Sequence, residues 1–225
     1  FPQLRQLEKK YGSLIKGLTT SNSAQSNTVQ PAKYPAFVAL AGGSGELLNR
    51  LTSRIFSHRI HTGVQVASTR RKGKGFEIEL SDGSTIDADA MILATPTYAT
   101  AKLLQSVDST SSSLHEEILH SSAATVTLAF TESQISEKFM GYGYVIPQVE
   151  DASVLACSWM SNKWQGRAEA GYHLIRVYIG RFGNPIAEEA SDGDLLALAA
   201  KEMKETHGIT SAAHFSRIYR LRRSM

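Results

Sequence analysis

The chain has 225 residues, of which 42% are hydrophobic and 20% charged, an ordinary composition for a protein that buries a core. Six prolines and 17 glycines exclude a collagen-like chain, and the single cysteine excludes a disulfide framework. The net charge of +3 is too small to predict nucleic-acid binding, and no apolar run approaches the ~20 residues that span a bilayer. The chain starts at Phe1 and without a signal peptide, which favours an intracellular protein and a piece of something longer.

The first sixty residues are predicted to form two helices that are joined by a polar loop. Apolar residues from Leu4 to Ile15 recur at three- and four-residue steps, which predicts a helix, and the polar run at 19–28 predicts a loop. A second helix follows the glycine-rich turn at 42–45, with Leu47, Leu48, Leu51 and Ile55 on one face. That turn resembles a phosphate-binding loop, but G-x-G-x-x-G is absent, so a tight turn with close helix packing is favoured.

From residue 63 to residue 96 the apolar period changes to two, which is typical of strands. Asp82-Gly83 predicts a hairpin turn because both central residues of a type I′ turn need positive φ. The apolar run at 91–93 predicts a strand buried on both faces, with a helix after it. This part of the chain is therefore a predicted β-meander that leads into a buried strand.

The second half is predicted to be α+β. Six of the eight residues at 106–113 are Ser or Thr, which favours a domain boundary there. Alternating strands follow, with Tyr172, Leu174, Arg176 and Tyr178 on one face of one of them. Ser191 and Asp194 resemble a capping box before a long helix that ends near Gly208, and a last strand runs from His214 to about Leu221.

No catalytic side chain can be named from these patterns. His58, His61, His115 and His120 lack partners at metal-ligand spacing, so no metal site is predicted. Cys157 lies in an apolar stretch and is interpreted as a buried, inert thiol. A chain without an acid–base constellation is either non-catalytic or leaves its chemistry to a cofactor.

The last nine residues form a basic segment. They hold four arginines, Arg217, Arg220, Arg222 and Arg223, and no acid. Such a segment could meet phosphates, carboxylates or an anionic membrane surface, and a solvated strand end is the favoured interpretation.

Three segments between residues 63 and 96 carry a resemblance. Segments 63–69, 76–87 and 88–96 resemble the flavin-dependent amine oxidase superfamily, in which the patterns G-x-x-V, L-x-D-G and A-D-x-V-I-x-A-x-P recur in this order. Further segments are similar to the bacterial protoporphyrinogen and coproporphyrinogen oxidases within it. These lie at residues 1–4, 11–17, 141–147, 156–164, 174–181 and 220–225.

The resemblance implies an α+β fold with two interleaved domains. One is part of an FAD-binding, glutathione-reductase-like domain with a β-meander, and the other is a substrate-binding domain with a mixed or antiparallel sheet. It predicts a helical segment of the substrate domain at 1–30, part of the FAD domain at 31–105, and the substrate domain at 106–225. The N-terminal G-x-G-x-x-G segment of the family is missing, so the chain corresponds to a central fragment.

The resemblance also implies binding residues. Val66 matches the valine whose backbone meets the FAD adenine, Ala94, Thr95 and Pro96 match the turn that flanks the cofactor, and Leu221 replaces a tryptophan near the flavin. Two sets of residues would contact substrate. Those that would line the tetrapyrrole cavity are Tyr142, Gly143, Val145 and Tyr178, and those that could meet propionates are Arg176 and Arg181.

The implied function is FAD-dependent oxidation of a porphyrinogen to the porphyrin in haem biosynthesis, with dioxygen as oxidant. The substrate would be coproporphyrinogen III or protoporphyrinogen IX. The alternatives are a related flavin oxidase acting on an amine or a carotenoid, and a non-catalytic fragment that binds a tetrapyrrole. The expected location is the cytoplasm, either free or peripheral to the inner face of the cell membrane.

Overall fold

The computed structural model describes residues 2–25, 37–135, 141–150 and 152–224. The chain forms two compact units, Phe1–Ala39 and Leu40–Met225. None of the helices among the described residues is long and apolar enough to cross a membrane.

The first unit is a helical pair, α1 (Pro2–Tyr11) and α2 (Leu14–Gln25), separated at Gly12, whose φ is +68°. The predicted loop at 19–28 is wrong as far as Gln25, because the polar residues there continue the helix. The Thr19 hydroxyl donates to the Ile15 carbonyl at 2.9 Å, so this side chain is satisfied within the helix. Residues 26–28 lie outside the described part of the chain.

The second unit contains six further α-helices among the described residues, and two antiparallel sheets. The helices are α3 (Ser44–Thr52), α4 (Thr97–Leu104), α5 (Ser109–Glu116), α6 (Met160–Lys163), α7 (Ile186–Glu189) and α8 (Asp192–His207). The smaller sheet has the order β1 (Val66–Lys72), β2 (Gly75–Leu80), β3 (Thr85–Ala88). The larger has the order β5 (Gly143–Val145), β6 (Val154–Trp159), β7 (Tyr172–Ile179), β4 (Ala123–Thr131), β8 (Phe215–Leu221). The α+β prediction is confirmed.

The main core lies between α8 and one face of the larger sheet. Leu195, Ala199 and Met203 of α8 are fully buried against strand residues such as Val126 and Ile175. The predicted capping box is present, since the Ser191 hydroxyl accepts from the Asp194 N–H and the Asp194 carboxylate accepts from the Ser191 N–H. Gly208 ends the helix in the left-handed conformation, as predicted.

One prediction about the middle of the chain is wrong, and the local structure of a second segment is now visible. Residues 91–93 form no strand, and Ile92 is 93% exposed, because no strand of the described residues pairs with this segment. Most of the Ser/Thr-rich run at 106–113 is helical, because the Asp108 carboxylate accepts the Ser111 N–H at 3.0 Å and begins α5; the domain boundary suggested there stays a prediction.

The helix predicted after the glycine-rich turn is α3, and its apolar face is exposed to solvent rather than buried. Leu47, Leu48 and Leu51 of α3, and Ile55 after it, are all exposed. The helix is present as predicted, because the spacing of apolar residues is enough to locate a helix. The spacing does not tell which element covers the apolar face, and no described residue buries it.

Candidate functional site

The sheet face away from α8 carries a regular array of aromatic and cationic side chains, which we call the open face. Successive side chains of a strand point to opposite sides, so the residues that alternate with the core belong to this face. One row of it crosses all five strands. The row consists of Val145, Ala156, Tyr178, Thr125 and Tyr219. Val145 is 73% and Tyr219 48% exposed, Tyr178 is partly exposed and Thr125 is buried, so the two ends of this row are the most accessible to solvent.

The adjacent row places two arginines on either side of a threonine. The row consists of Gly143, Ser158, Arg176, Thr127 and Arg217. Arg176 Nε donates to Thr127 Oγ1 at 3.4 Å. In the described part of the chain, no Asp or Glu of the five strands lies on this face, and neither arginine has an acidic partner within 4.0 Å. The open face therefore combines two tyrosines with uncompensated positive charge.

The fold thus brings four of the predicted substrate residues together. Gly143, Val145, Arg176 and Tyr178 lie in two neighbouring rows of the open face. Tyr142 precedes β5 and lies outside this array, and its carbonyl accepts a hydrogen bond from the Trp159 N–H at 3.0 Å. The alternation of Arg176 and Tyr178 on one face of β7 is confirmed.

Arg181 has a structural environment that the sequence did not indicate. Its Nη2 donates to the carbonyls of Ile146 at 2.7 Å and Val154 at 3.2 Å, and its Nε donates to the Ala152 carbonyl at 3.2 Å. The guanidinium therefore ties the β5–β6 connection to the end of β7. These hydrogen bonds hold Nε and Nη2 within the protein, and the suggested propionate contact of Arg181 stays a prediction.

A glycine keeps β5 close to its neighbour. Gly143 has a φ of +132°, and a Cβ at this position would collide with the Cys157 carbonyl oxygen. Only glycine fits this backbone conformation and this close approach. At this position of β5, therefore, no side chain projects from the open face.

Cys157 lies in β6, the strand next to β5, and its side chain is within the core. Burial raises the pKa of its thiol. Burial also raises the pKa of the neighbouring Tyr144 hydroxyl, which donates to Glu202 Oε1 at 2.5 Å. A thiol held neutral in this way is a poor nucleophile, which agrees with the interpretation of Cys157 as inert.

Val66 begins β1, which is an edge strand of the smaller sheet. The preceding residue, Gln65, accepts the Ser81 N–H at 2.8 Å. Val66 pairs with Leu80 of β2, and the register shifts between Val66 and Ser68, so Val66 lies beside a β-bulge on the open edge of the sheet. Its side chain is 41% exposed. An edge amide beside an aliphatic side chain is what adenine needs for hydrogen bonding and packing.

Ala94, Thr95 and Pro96 form an exposed turn before α4. Thr95 Oγ1 lies 2.8 Å from Thr100 Oγ1, which fixes the turn to the helix that follows. The turn follows the apolar residues 91–93, as predicted, although these residues do not form a strand.

His120 supports the start of α4. Its Nε2 lies 2.5 Å from Thr97 Oγ1, and its ring meets the Tyr98 ring edge-on at 5.3 Å. Its Nδ1 is buried, and the described residues offer it no hydrogen-bond partner. Sequence reasoning interpreted His120 only as a surface or core residue, because the residues that surround it are about twenty positions away in the chain.

The end of β8 lies close to the start of α4. The Arg223 guanidinium lies 4.2 Å from the centre of the Tyr98 ring, and the Arg223 N–H donates to Ser122 Oγ at 2.8 Å. Leu221, 45% exposed, pairs with Ala123 at the end of the open face. The stack of Arg223 on Tyr98 joins the strand end that carries Leu221 to the helix that follows the turn at 94–96.

The glycine-rich turn before α3 is already occupied by a carboxylate. The Gly42 N–H donates to Glu46 Oε2 at 3.1 Å, and Glu46 Oε1 accepts from Arg50 Nε at 2.9 Å. A phosphate would compete with this carboxylate for the turn. The structure therefore favours the tight-turn interpretation.

Among the described residues, two places suit parts of FAD, one its adenine and one its flavin ring. The glycine-rich turn does not suit its pyrophosphate. Val66 suits the adenine, and the turn at 94–96 with Leu221 suits a border for the flavin ring. The donor set of the glycine-rich turn does not suit a phosphate, because a carboxylate holds it.

Comparison with known proteins identifies the family of the chain. Residues 1–222 match the family described as flavin containing amine oxidoreductase, and the chain belongs to that family. It is 30% identical to a coproporphyrinogen III oxidase of Bacillus subtilis (strain 168), over 100% of this chain and 48% of the relative. It is 25% identical to the Staphylococcus aureus coproporphyrinogen III oxidase, over 100% of this chain and 49% of that protein.

The fold is also similar to a solved structure. A crystal structure of a candidate protoporphyrinogen oxidase from Exiguobacterium sp. 255-15 superposes with a TM-score of 0.75 at 24% identity. The match covers 100% of this chain and 46% of that one. The chain spans about half the length of the curated relatives that it matches.

Proposed function

We propose that this chain supplies the substrate face and part of the flavin site of an FAD-dependent enzyme that oxidises a porphyrinogen to a porphyrin. The observation that carries the proposal is the open face, where two tyrosine side chains lie one row from two arginines. A flat, apolar ring bearing carboxylates complements such a surface. Relatives named coproporphyrinogen III oxidase support the same substrate class.

The tyrosine row and the arginine row of the open face would contact different parts of the substrate. Tyr178 and Tyr219 flank Thr125 from the two neighbouring strands, so their Cα atoms are about 10 Å apart, twice the spacing between strands. They offer aromatic surface to the face of a macrocycle. Arg176 and Arg217 would hold carboxylates at its margin, and the tyrosine row would thereby be aligned with the ring.

The described residues contain no acid–base pair on the open face, so the protein's contribution is binding, orientation and exclusion of water. FAD, when bound, would supply the hydride acceptor, with dioxygen as the terminal oxidant. Val66 would hold the adenine through its edge amide, and the turn at 94–96 and Leu221 would border the ring. The cofactor would then lie beside one end of the open face, since Leu221 would border the flavin and also pairs with Ala123 at that end.

Porphyrin binding tests the proposal. Coproporphyrin III is titrated into the chain, and its Soret absorbance and the quenching of its fluorescence are followed. We expect binding that Tyr178→Ala weakens by about tenfold, since stacking on an aromatic ring is worth about 1.4 kcal/mol. Phe182→Ala is the matched control, because Phe182 is an exposed aromatic residue beyond the end of β7.

The outcomes separate the alternatives. Binding without turnover of coproporphyrinogen III in the presence of FAD and air supports the substrate-face role and leaves catalysis to the longer enzyme. Absence of porphyrin binding, or equal effects of Tyr178→Ala and Phe182→Ala, would overturn the proposal. Retention of FAD after gel filtration would show that the contacts at Val66 and the turn at 94–96 suffice without a pyrophosphate cradle.

A further inference from the structure

A cavity of about 590 Å³ lies on the α8 side of the larger sheet, away from the open face. Leu128 and Phe130 of β4 form its floor, and α8 forms one wall through Leu196 and Met203. The loop at 209–213 forms the opposite wall. Protein interiors pack closely and leave few voids larger than a water molecule, whereas this volume is in the range of small-molecule sites.

Small side chains leave this space open. They are Ala200 of α8, Ala213 of the loop and Ser216 of β8. Ser216 pairs with Leu128, so it lies on the core side of the sheet, beside a strand position that carries a large apolar side chain. A large apolar side chain at any of these three positions would fill part of the cavity.

Hydrogen bonds hold the loop wall away from the helix. The loop starts at Ile209, which is buried. At its other end, the His214 N–H donates to the Ala129 carbonyl at 2.8 Å. Between these points, Gln134 Nε2 donates to the Ala212 carbonyl at 2.8 Å. The loop cannot collapse into the cavity without losing these bonds, so the cavity is a built feature of the fold.

The rim of the cavity carries positive charge and hydroxyl groups. Lys201, Lys204, Thr210 and Ser211 are exposed at its mouth. Lys201 Nζ lies 3.8 Å from Glu205 Oε1, whereas no carboxylate of the described residues lies within 4.0 Å of Lys204 Nζ. A cation at the mouth of an apolar cavity complements a molecule that has an alkyl chain and an anionic head group.

We propose that this cavity binds a free medium-chain alkyl carboxylate, with its alkyl chain against Phe130 and Met203 and its carboxylate at Lys204. The lining is aliphatic except for Phe130, which suits an alkyl chain better than a stacked aromatic ring. Burial of the chain would supply most of the affinity, since an exposed ion pair contributes little. The site is independent of the proposed function, because it lies on the opposite side of the sheet from the open face.

Calorimetric titration of the full chain with three amphiphiles, each below its micellar concentration, tests the proposal. Decanoate should bind about fifteenfold more tightly than octanoate, because each buried CH₂ group raises the affinity about fourfold. Decylammonium has the same number of carbons as decanoate and the opposite charge, and it should bind about fivefold more weakly than decanoate.

Matched variants separate the chain site from the head-group site. Ala200→Leu fills the cavity with another strong helix former and should weaken decanoate binding about tenfold or more. Ala197→Leu is its control, because Ala197 is exposed on the same helix and does not line the cavity. Lys204→Gln should weaken decanoate binding about two- to fivefold, and Lys102→Gln in α4 should not change it.

NMR locates the bound molecule. The methyl signal of Met203 should shift on saturation with decanoate, while the methyl signals of Val145, on the open face, should stay in place. The reverse pattern would overturn the proposal, because it would place the amphiphile on the open face. Absence of decanoate binding, or equal affinities for octanoate and decanoate, would also overturn it. Equal affinities for decanoate and decylammonium, or equal losses in Ala200→Leu and Ala197→Leu, would do the same.

Discussion

Replacement of Arg181 by Gln should damage the fold and spare the porphyrin site. Arg181 makes three hydrogen bonds to carbonyls, of which the one to Ile146 is short at 2.7 Å and the other two are 3.2 Å. A hydrogen bond with one charged partner contributes about 1.5–3 kcal/mol, and the two longer ones contribute less. The free energy of unfolding should therefore fall by about 3 kcal/mol, and the Tm by about 6–12 °C.

The matched variant is Arg176→Gln, which removes the same charge from the same strand region. Arg176 makes one hydrogen bond, at 3.4 Å to Thr127, so its loss should change stability by less than about 1 kcal/mol. Thermal and urea unfolding measure the two stabilities, and titration with coproporphyrin III measures the two affinities. The reasoning is refuted if Arg181→Gln unfolds like the wild type but binds porphyrin more weakly, because Arg181 would then be a ligand contact.

Three further variants or probes address the core and the helix caps. Gly143→Ala should cost about 2–3 kcal/mol in urea unfolding, because alanine is strained at a φ of +132° and its Cβ meets the Cys157 carbonyl; unchanged stability would contradict this geometry. Burial raises the pKa of the Cys157 thiol, so a thiol reagent at pH 8 should label it only after denaturation, and fast labelling of the native chain would show that it is accessible. Ser191→Ala should destabilise α8 by about 1 kcal/mol at pH 7. Hydrogen bonds from Ser191 hold the pKa of Asp194 below its ordinary value, so this carboxylate stabilises the fold above about pH 4 and loses its effect as the pH falls further. The difference between Ser191→Ala and wild type should accordingly shrink in acid, and a difference that grows in acid would contradict the cap.

Local patterns were enough to predict much of the larger sheet. The period of two in β7 placed Arg176 and Tyr178 on one face, because alternation along a strand needs no knowledge of its neighbours. The cap at Ser191 and the end at Gly208 were likewise predicted from residues within one helix. These are features that short-range sterics and hydrogen bonding determine.

The order of the strands could not be read in the same way. β8 lies beside β4 although more than eighty residues separate them, so nothing local indicated that Arg217 and Tyr219 share a face with Arg176 and Tyr178. In the sequence alone, Arg217 is only one of four arginines in a basic segment. Its pairing with Thr127 is a product of tertiary packing, which β-propensity does not encode.

Two features of the chain depend on residues outside the segment concerned, so the segment's own sequence does not show them. The alternation that includes Arg176 stops at Gly180, whose φ of +112° redirects the chain, so Arg181 points to carbonyls rather than along the open face. The apolar run at 91–93 would be a strand only beside other strands, and the described residues provide none.

The position of a bound porphyrin tests the central claim most directly. Manganese coproporphyrin III is paramagnetic and broadens the NMR signals of methyl groups close to it. If the porphyrin binds the open face, the methyl signals of Val145 and Leu174 should broaden, while those of Leu195 and Met203, buried on the α8 side of the sheet, should stay sharp. Broadening confined to the α8 side, or no broadening at saturating porphyrin, would contradict the account.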